Sequence, residues 1–139
     1  MGLITDRTEA DVLLKTEKGQ YSAADLNRVE QAVGELCVLA TQLDIHLNLT
    51  VKTDWCFENL FSKERWPVKS QMDRYINNVH KICDAFDLQC DLPDRMRGLN
   101  WEKANKIENA LDTAYQRVRG ILHTYQYSGE LIAGEESQL

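Results

Sequence analysis

From Ser22 onward, apolar residues recur three and four positions apart: Leu26, Val29, Val33, Leu36, Ala40 and Leu43. That spacing draws one stripe along a helix, with Arg28, Gln31, Glu35 and Gln42 mostly off it. Ser22 can cap the helix, and Asp25 three residues on favours its N-terminus. At Ile45 the period changes to two. Ile45, Leu47, Leu49 and Val51 alternate with His46, Asn48, Thr50 and Lys52. This predicts a short extended segment near 45–53, either a strand or an extended connection, since no partner strand is evident. A second helix follows Pro67, which suits a first helical turn. Its buried face would be Val68, Met72, Tyr75, Ile76, Val79, Ile82, Cys83 and Phe86. Between 87 and 100 the pattern breaks, with Pro93 and Gly98 as turn signals. Asn100 can cap a third helix whose stripe is Trp101, Ala104, Ile107, Leu111, Ala114, Val118, Ile121 and Tyr125. Glu102 and Lys106 are spaced for an i,i+4 pair on its outer face, and Ser128-Gly129 is expected to end it.

Three amphipathic helices predict a mainly α protein, a three-helix bundle over 22–127 with Leu36, Val79, Leu111 and Val118 facing one another in its core. Residues 1–21 read as an extended N-terminal arm with a small apolar cluster (Val12, Leu13, Leu14) and a helical turn. Residues 128–139 read as an acidic C-terminal tail carrying Glu130, Glu135 and Glu136. No internal repeat or low-complexity tract is evident.

The chain has 139 residues, the size of one domain, and its 43% hydrophobic content is enough for a core. The formal charge of −6 argues against non-specific nucleic-acid binding, which needs an excess of Lys and Arg. The mildly basic middle (Lys63, Arg65, Lys69, Arg74, Lys81, Arg95, Arg97) is interleaved with acids and reads as a mixed solvated surface. The first residues lack the basic and apolar regions of a signal peptide, and no apolar run is long enough to span a bilayer. Cys37, Cys56, Cys83 and Cys90 are therefore expected to be reduced thiols.

The candidate chemistry is thin. His80 and Cys83 lie one helical turn apart and could face one ion, with Cys90, Cys56 or His46 completing the set. Close Cys pairs are missing, however, and Cys83 fits the apolar stripe better as a small core residue. A Cys/His nucleophilic pair could meet only in space. Glu108 and Asp112 could serve as paired acids if buried, but they lie off the stripe and read as a solvated face. No cofactor, metal or catalytic residue is expected. Trp55, Phe57, Phe61 and Trp66 form an aromatic connector that either caps the end of the bundle or docks onto another protein. Tyr125, Tyr127, Leu131 and Ile132 pose the same choice: a tail folded back on its bundle, or a tail lying along a partner.

Several segments follow one another in a familiar order: Ile4-Thr5-Asp6-Arg7-Thr8, Asp25-Leu26-Asn27-Arg28-Val29-Glu30, Thr50-Val51-Lys52-Thr53-Asp54-Trp55, Met72-Asp73-Arg74-Tyr75-Ile76-Asn77-Asn78-Val79, Ala104-Asn105-Lys106-Ile107-Glu108 and Tyr127-Ser128-Gly129-Glu130. Together they resemble a group of small proteins encoded among the tail and baseplate genes of Firmicutes phages and prophages. The motifs are short, and their shared order spans nearly the whole chain. The region from Trp55 to Trp66 is more aromatic and cysteine-bearing than that group's pattern. The resemblance implies a non-catalytic, tail-associated structural role and transfers no catalytic residues. The implied partners are proteins, either a second copy or other tail proteins, with neither nucleic acid nor membrane. The implied location is the bacterial host cytoplasm during assembly, or the virion. A helical adaptor or regulatory protein outside the particle is the alternative, and a small enzyme with a spatially assembled site is the third reading.

Overall fold

The computed structural model describes residues 2–19, 21–56 and 68–136, with side chains described up to 124 apart from that of Glu17. Its elements are α1 (Glu9–Leu13), a 3-10 turn (Glu17–Gly19), α2 (Ala23–Gln42), α3 (Lys69–Ala85) and α4 (Trp101–Glu136), with no strand among the described residues. The three long helices pack pairwise, α4 against both α2 and α3.

Burial follows the stripes, except that Val68, expected on the buried face, is the N-cap residue of α3 and stands 65% exposed. Leu26, Val29, Val33, Leu36 and Ala40 of α2 meet Met72, Tyr75, Ile76, Val79 and Ile82 of α3 and Ala104, Ile107, Leu111, Ala114 and Val118 of α4. Leu36, Val79, Leu111 and Val118 are all fully buried in that one core. The connection from α3 to α4 contributes Met96 and Leu99, which the broken pattern did not mark as core. On α4 the buried stripe is shorter than the sequence suggests, since Trp101 is half-buried and Ile121 is 42% exposed.

The helix ends explain the connections. Asn100 caps α4 by accepting from the backbone N–H of Lys103 at 2.9 Å. Asp25 accepts from the backbone N–H of Ser22 at 2.7 Å at the start of α2. Three helices stop on the same device, a Schellman turn with a non-glycine residue in the left-handed region. Lys15 (φ 55), Asp44 (φ 61) and Asp87 (φ 53) occupy that position. The next N–H then reaches back to the carbonyl five residues earlier: Thr16 to Asp11, Ile45 to Ala40 and Leu88 to Cys83. At the end of α3, Arg117 Nη1 of α4 also donates to the Phe86 carbonyl at 3.0 Å.

Two expectations are corrected. Helix α4 runs on through Ser128-Gly129 to Glu136, for 36 residues, so the backbone of the supposed tail is helical up to there. A glycine lowers helix propensity by about 1 kcal/mol, which weakens but does not stop a helix where no left-handed cap forms. Lys106 places its ammonium on Asp91 at 2.8 Å, across to the α3–α4 connection, rather than on Glu102.

The segment after α2 keeps its alternation. Ile45, Leu47, Leu49 and Val51 are half-buried against the core, and His46, Asn48 and Thr50 are exposed. It is an extended connection, not a ladder strand. The Thr50 carbonyl accepts from the side chains of Arg74 at 2.7 Å and Asn78 at 2.8 Å on α3. Side chains thus meet a backbone acceptor that a partner strand would otherwise serve.

Glycine has opposite roles at two positions. A Cβ on Gly34, in the middle of α2, would meet only Val51 Cγ2 at 3.8 Å, an ordinary contact, whereas one on Gly19 would stand 2.0 Å from the Asp11 carbonyl oxygen. Gly34→Ala should therefore raise unfolding free energy in urea by about 0.5–1 kcal/mol, and Gly19→Ala should lower it. A destabilised Gly34→Ala protein would mean that Val51 leaves no room for a methyl group on α2.

Candidate functional site

The buried charged side chains gather in two clusters built on one pattern. Asn27-Arg28-Val29-Glu30 on α2 and Asn105-Lys106-Ile107-Glu108 on α4 share the order Asn, base, β-branched, Glu, and continue into Gln31-Ala32-Val33 and Asn109-Ala110-Leu111. The chain thus does carry a short internal repeat. In each copy the Asn and Glu lie three apart, on one face of the helix.

On α4 the pattern holds the N-terminal arm. Asn105 makes two reciprocal bonds with the backbone of Arg7: the Arg7 N–H donates to Oδ1 at 3.0 Å and Nδ2 donates to the Arg7 carbonyl at 2.9 Å. The Arg7 side chain then turns inward. Its Nη2 donates to Glu108 Oε2 at 2.5 Å and to Asp25 Oδ1 at 3.3 Å, while Nη1 donates to the Ile4 carbonyl. Its guanidinium lies 5.3 Å from the Tyr21 ring centroid. Arg28 grips the same carboxylate with a fork, Nε to Oε1 at 2.7 Å and Nη2 to Oε2 at 2.8 Å, and the Ile4 N–H adds a fourth donor at 3.0 Å. The Arg7 and Glu108 side chains are both 0% exposed. With Asp25 and Arg28 they form a charge-balanced foursome of two acids and two bases, the composition that makes burial tolerable.

On α2 the pattern holds the extended connection. Asn27 makes the same reciprocal pair with the backbone of Trp55, Trp55 N–H to Oδ1 at 2.8 Å and Nδ2 to the Trp55 carbonyl at 3.1 Å. The Trp55 indole N–H donates to Glu30 Oε2 at 2.5 Å. Arg74 of α3 supplies the fork, Nη1 to Oε1 at 2.7 Å and Nη2 to Oε2 at 2.8 Å. Each clamp therefore fixes one residue of an irregular segment twice, by its backbone through Asn and by its side chain through a buried Glu that a neighbouring Arg neutralises.

The electrostatics fit. Desolvation opposes the charge on Arg28, but the hydrogen bonds and charges of Glu108 and Asp25 outweigh it and hold the guanidinium protonated more firmly than usual. Arg74 is likewise raised, first by its hydrogen bond to Glu30. Beside the first clamp the hydroxyls of Tyr21 and Tyr75 lie 2.5 Å apart, both fully buried. Burial pushes both phenols well above their ordinary value, with the Glu108 charge adding to the rise at Tyr21 and Tyr21 itself to that at Tyr75.

These positions correct the expectation for Glu108, which is fully buried and not on a solvated face. Asp112, one turn on, is half-buried, and the ion pairs of Glu108 run to Arg7 and Arg28. His80 donates through Nε2 to the Pro93 carbonyl at 2.9 Å, and Cys83 Sγ lies 2.8 Å from Cys90 Sγ. Two of the candidate ligands, Cys83 and Cys90, are thus brought together, while the His80 ring nitrogen turns to the α3–α4 connection. Trp55 is 9% exposed, with the Lys52 ammonium 5.2 Å from its ring centroid, so it belongs to the core and not to an open aromatic patch. Phe57, Phe61 and Trp66 lie outside the described residues. The backbones of Tyr125, Tyr127, Leu131 and Ile132 belong to α4, and their side chains lie outside what is described. Neither clamp was anticipated, although the paired Asn-x-x-Glu motifs stood in the sequence as a signal.

Comparison with protein-family models, with curated proteins and with solved structures finds no match.

Removing one member of a buried ion pair leaves its partners uncompensated, at a cost of about 3–5 kcal/mol. Glu108→Ala should lower unfolding free energy by that amount and free the arm, seen as faster amide exchange at Ile4 and Arg7. A loss below about 1 kcal/mol, the range of a surface pair, would show that Glu108 does not hold the arm.

The tyrosine pair gives an alkaline signature. Unfolded tyrosine ionises near 10.0, whereas the buried pair keeps its protons, so above that pH the unfolded chain releases protons that the folded chain retains. Stability should be unaffected by these groups below pH 10 and fall above it, by up to about 1.4 kcal/mol per pH unit for each tyrosine. Urea titration of the Tyr21→Phe/Tyr75→Phe protein should show a flatter alkaline limb, and an unchanged limb would mean the pair ionises normally.

Proposed function

We propose that the protein is a non-catalytic structural and interaction module associated with a phage or prophage tail. The observation that carries the interaction reading is the arm. Its root is fixed on α4 by the Arg7 clamp, and just beyond it Leu13 and Leu14 stand 74% and 75% exposed. A rigidly based apolar tip suits docking onto another protein surface. Residues around Arg7 are held by the chain's own bundle, so the part of the arm offered to a partner is the exposed Leu13-Leu14 pair.

Two further features support the reading. Both clamp carboxylates accept from guanidinium forks and other N–H groups, an arrangement suited to anchoring more than to moving protons. Helix α4, at 36 residues, extends roughly 54 Å against roughly 30 Å for α2 and 26 Å for α3. Its apolar spacing continues past the buried Val118 through Ile121, Tyr125 and Ile132. That end is the second expected contact, with another copy or with other tail proteins. No helix among the described residues is long and apolar enough to cross a membrane. The tail association itself rests on the sequence resemblance.

The test compares the full chain with a Leu13→Ser/Leu14→Ser protein and with a chain ended after Tyr127. Light scattering reads self-association, and mass spectrometry of purified particles reads incorporation. The full chain should associate or be incorporated, and at least one altered protein should not. If both altered proteins behave like the full chain, neither end is the contact. A full chain that is monomeric and absent from particles would replace the structural reading with that of an adaptor.

A further inference from the structure

Cys83 and Cys90 are brought together by the way α3 ends. The helix stops at Ala85, Asp87 takes the left-handed conformation, and the Leu88 N–H reaches back to the Cys83 carbonyl at 2.9 Å. The chain thus reverses over its own last turn, and two residues later Cys90 Sγ arrives 2.8 Å from Cys83 Sγ. The returning segment is held from two other directions. Pro93 accepts from His80 of α3, and Asp91 pairs with Lys106 of α4. The two sulfurs are therefore neighbours because the backbone is folded that way, before any bond joins them.

We propose that Cys83 and Cys90 are a dithiol modification site that closes reversibly to an intramolecular disulfide by exchange with low-molecular-weight disulfides. Exposure sets the order of events: Cys90 is half-buried and Cys83 is 3% exposed. The Cys90 thiolate attacks one sulfur of the reagent disulfide, the reagent S–S bond breaks, and one reagent thiol leaves. Cys83 then gives its proton to solvent and attacks Cys90 Sγ. The mixed disulfide breaks and the second reagent thiol leaves. Two protein thiols and one reagent disulfide become one protein disulfide and two reagent thiols, so the reagent is reduced by the two electrons the protein loses. Burial pushes the Cys83 thiol well above its ordinary range, with the Cys90 hydrogen bond adding to the rise. Its thiolate is scarce at neutral pH, and the nearness of the two sulfurs, which makes the second step intramolecular, offsets that scarcity.

The bond would tie the end of α3 to the connection whose Met96 and Leu99 fill the core. The reduced chain keeps its fold through the Schellman turn and the Pro93 and Asp91 contacts, so closure is optional and suits a thiol-rich compartment.

The sequence offers a direct readout. Residues 82–95 form one tryptic peptide, bounded by Lys81 and Arg95 with no Lys or Arg inside, and it contains both cysteines. The full-length native protein is equilibrated with oxidised glutathione, its remaining thiols are blocked with iodoacetamide in denaturant, and it is digested. Peptide 82–95 should carry no alkyl group and be about 2 Da lighter than its dithiol form, reverting with dithiothreitol. In the Cys83→Ser protein the same treatment should leave one glutathione on Cys90, because nothing resolves it. Exposed Cys56 reports that the oxidant reached the protein. The proposal fails if peptide 82–95 takes two alkyl groups while Cys56 is glutathionylated. It fails equally if the peptide retains one or two glutathiones in the unaltered protein, or is joined to the peptides of Cys37 or Cys56.

Discussion

The Glu108 carboxylate is the group on which the placement of the N-terminal arm depends. Both of its oxygens face donors: Arg28 spans the two, Arg7 reaches one and the Ile4 backbone the other. A carboxylate without water is costly by several kcal/mol, and only such a set of charged and neutral donors offsets the cost. The need runs both ways. Arg7 has 2% of its surface exposed, and a guanidinium in that position persists only beside an acid. The arm's path across α4 follows from this mutual requirement more than from apolar contact, since few of its residues are deeply buried.

The second clamp shows that the solution is general to this fold. Helices bury their own backbone polar groups, but an extended segment lying on them exposes N–H and C=O groups to a surface that cannot answer. Asparagine answers both at once, because its amide presents a donor and an acceptor side by side. Asn105 does this for Arg7 and Asn27 for Trp55. The glutamate three residues on then takes the same residue's side chain, whether guanidinium or indole. Two different segments are thereby fixed in register with the helices, which apolar contact alone would leave free to slide.

How far the sequence could be read depended on the range of each signal. The three stripes are local and strong, and the core residues Leu36, Val79, Leu111 and Val118 came directly from them. The alternation from Ile45 to Val51 told inside from outside correctly. It could not tell a strand from a lone extended segment, because that depends on what lies beside it. Glu108 was misread for a related reason. It sits next to the apolar Ile107, at the margin of the stripe, and whether such a residue meets water or a guanidinium is decided by Arg7, 101 residues away. Met96 and Leu99 lie in an irregular connection where no period marks them. Ser128-Gly129 carried a stop signal by composition, and the helix passes through it because a glycine ends a helix only by turning left-handed.

The separation between Arg7 and Glu108 also has a consequence in time. A chain is made from its N-terminus at about 5–20 residues per second, so Arg7 waits roughly 5–20 s for the acid that receives it. During that interval α2 can form, but within the four-charge cluster it offers Arg7 and Arg28 only the single carboxylate of Asp25. Arg7 is thus an incompletely matched cation until the start of α4 emerges. Residues around Arg7 are made well before they can reach their final place, and docking of the arm marks the formation of the first turns of α4.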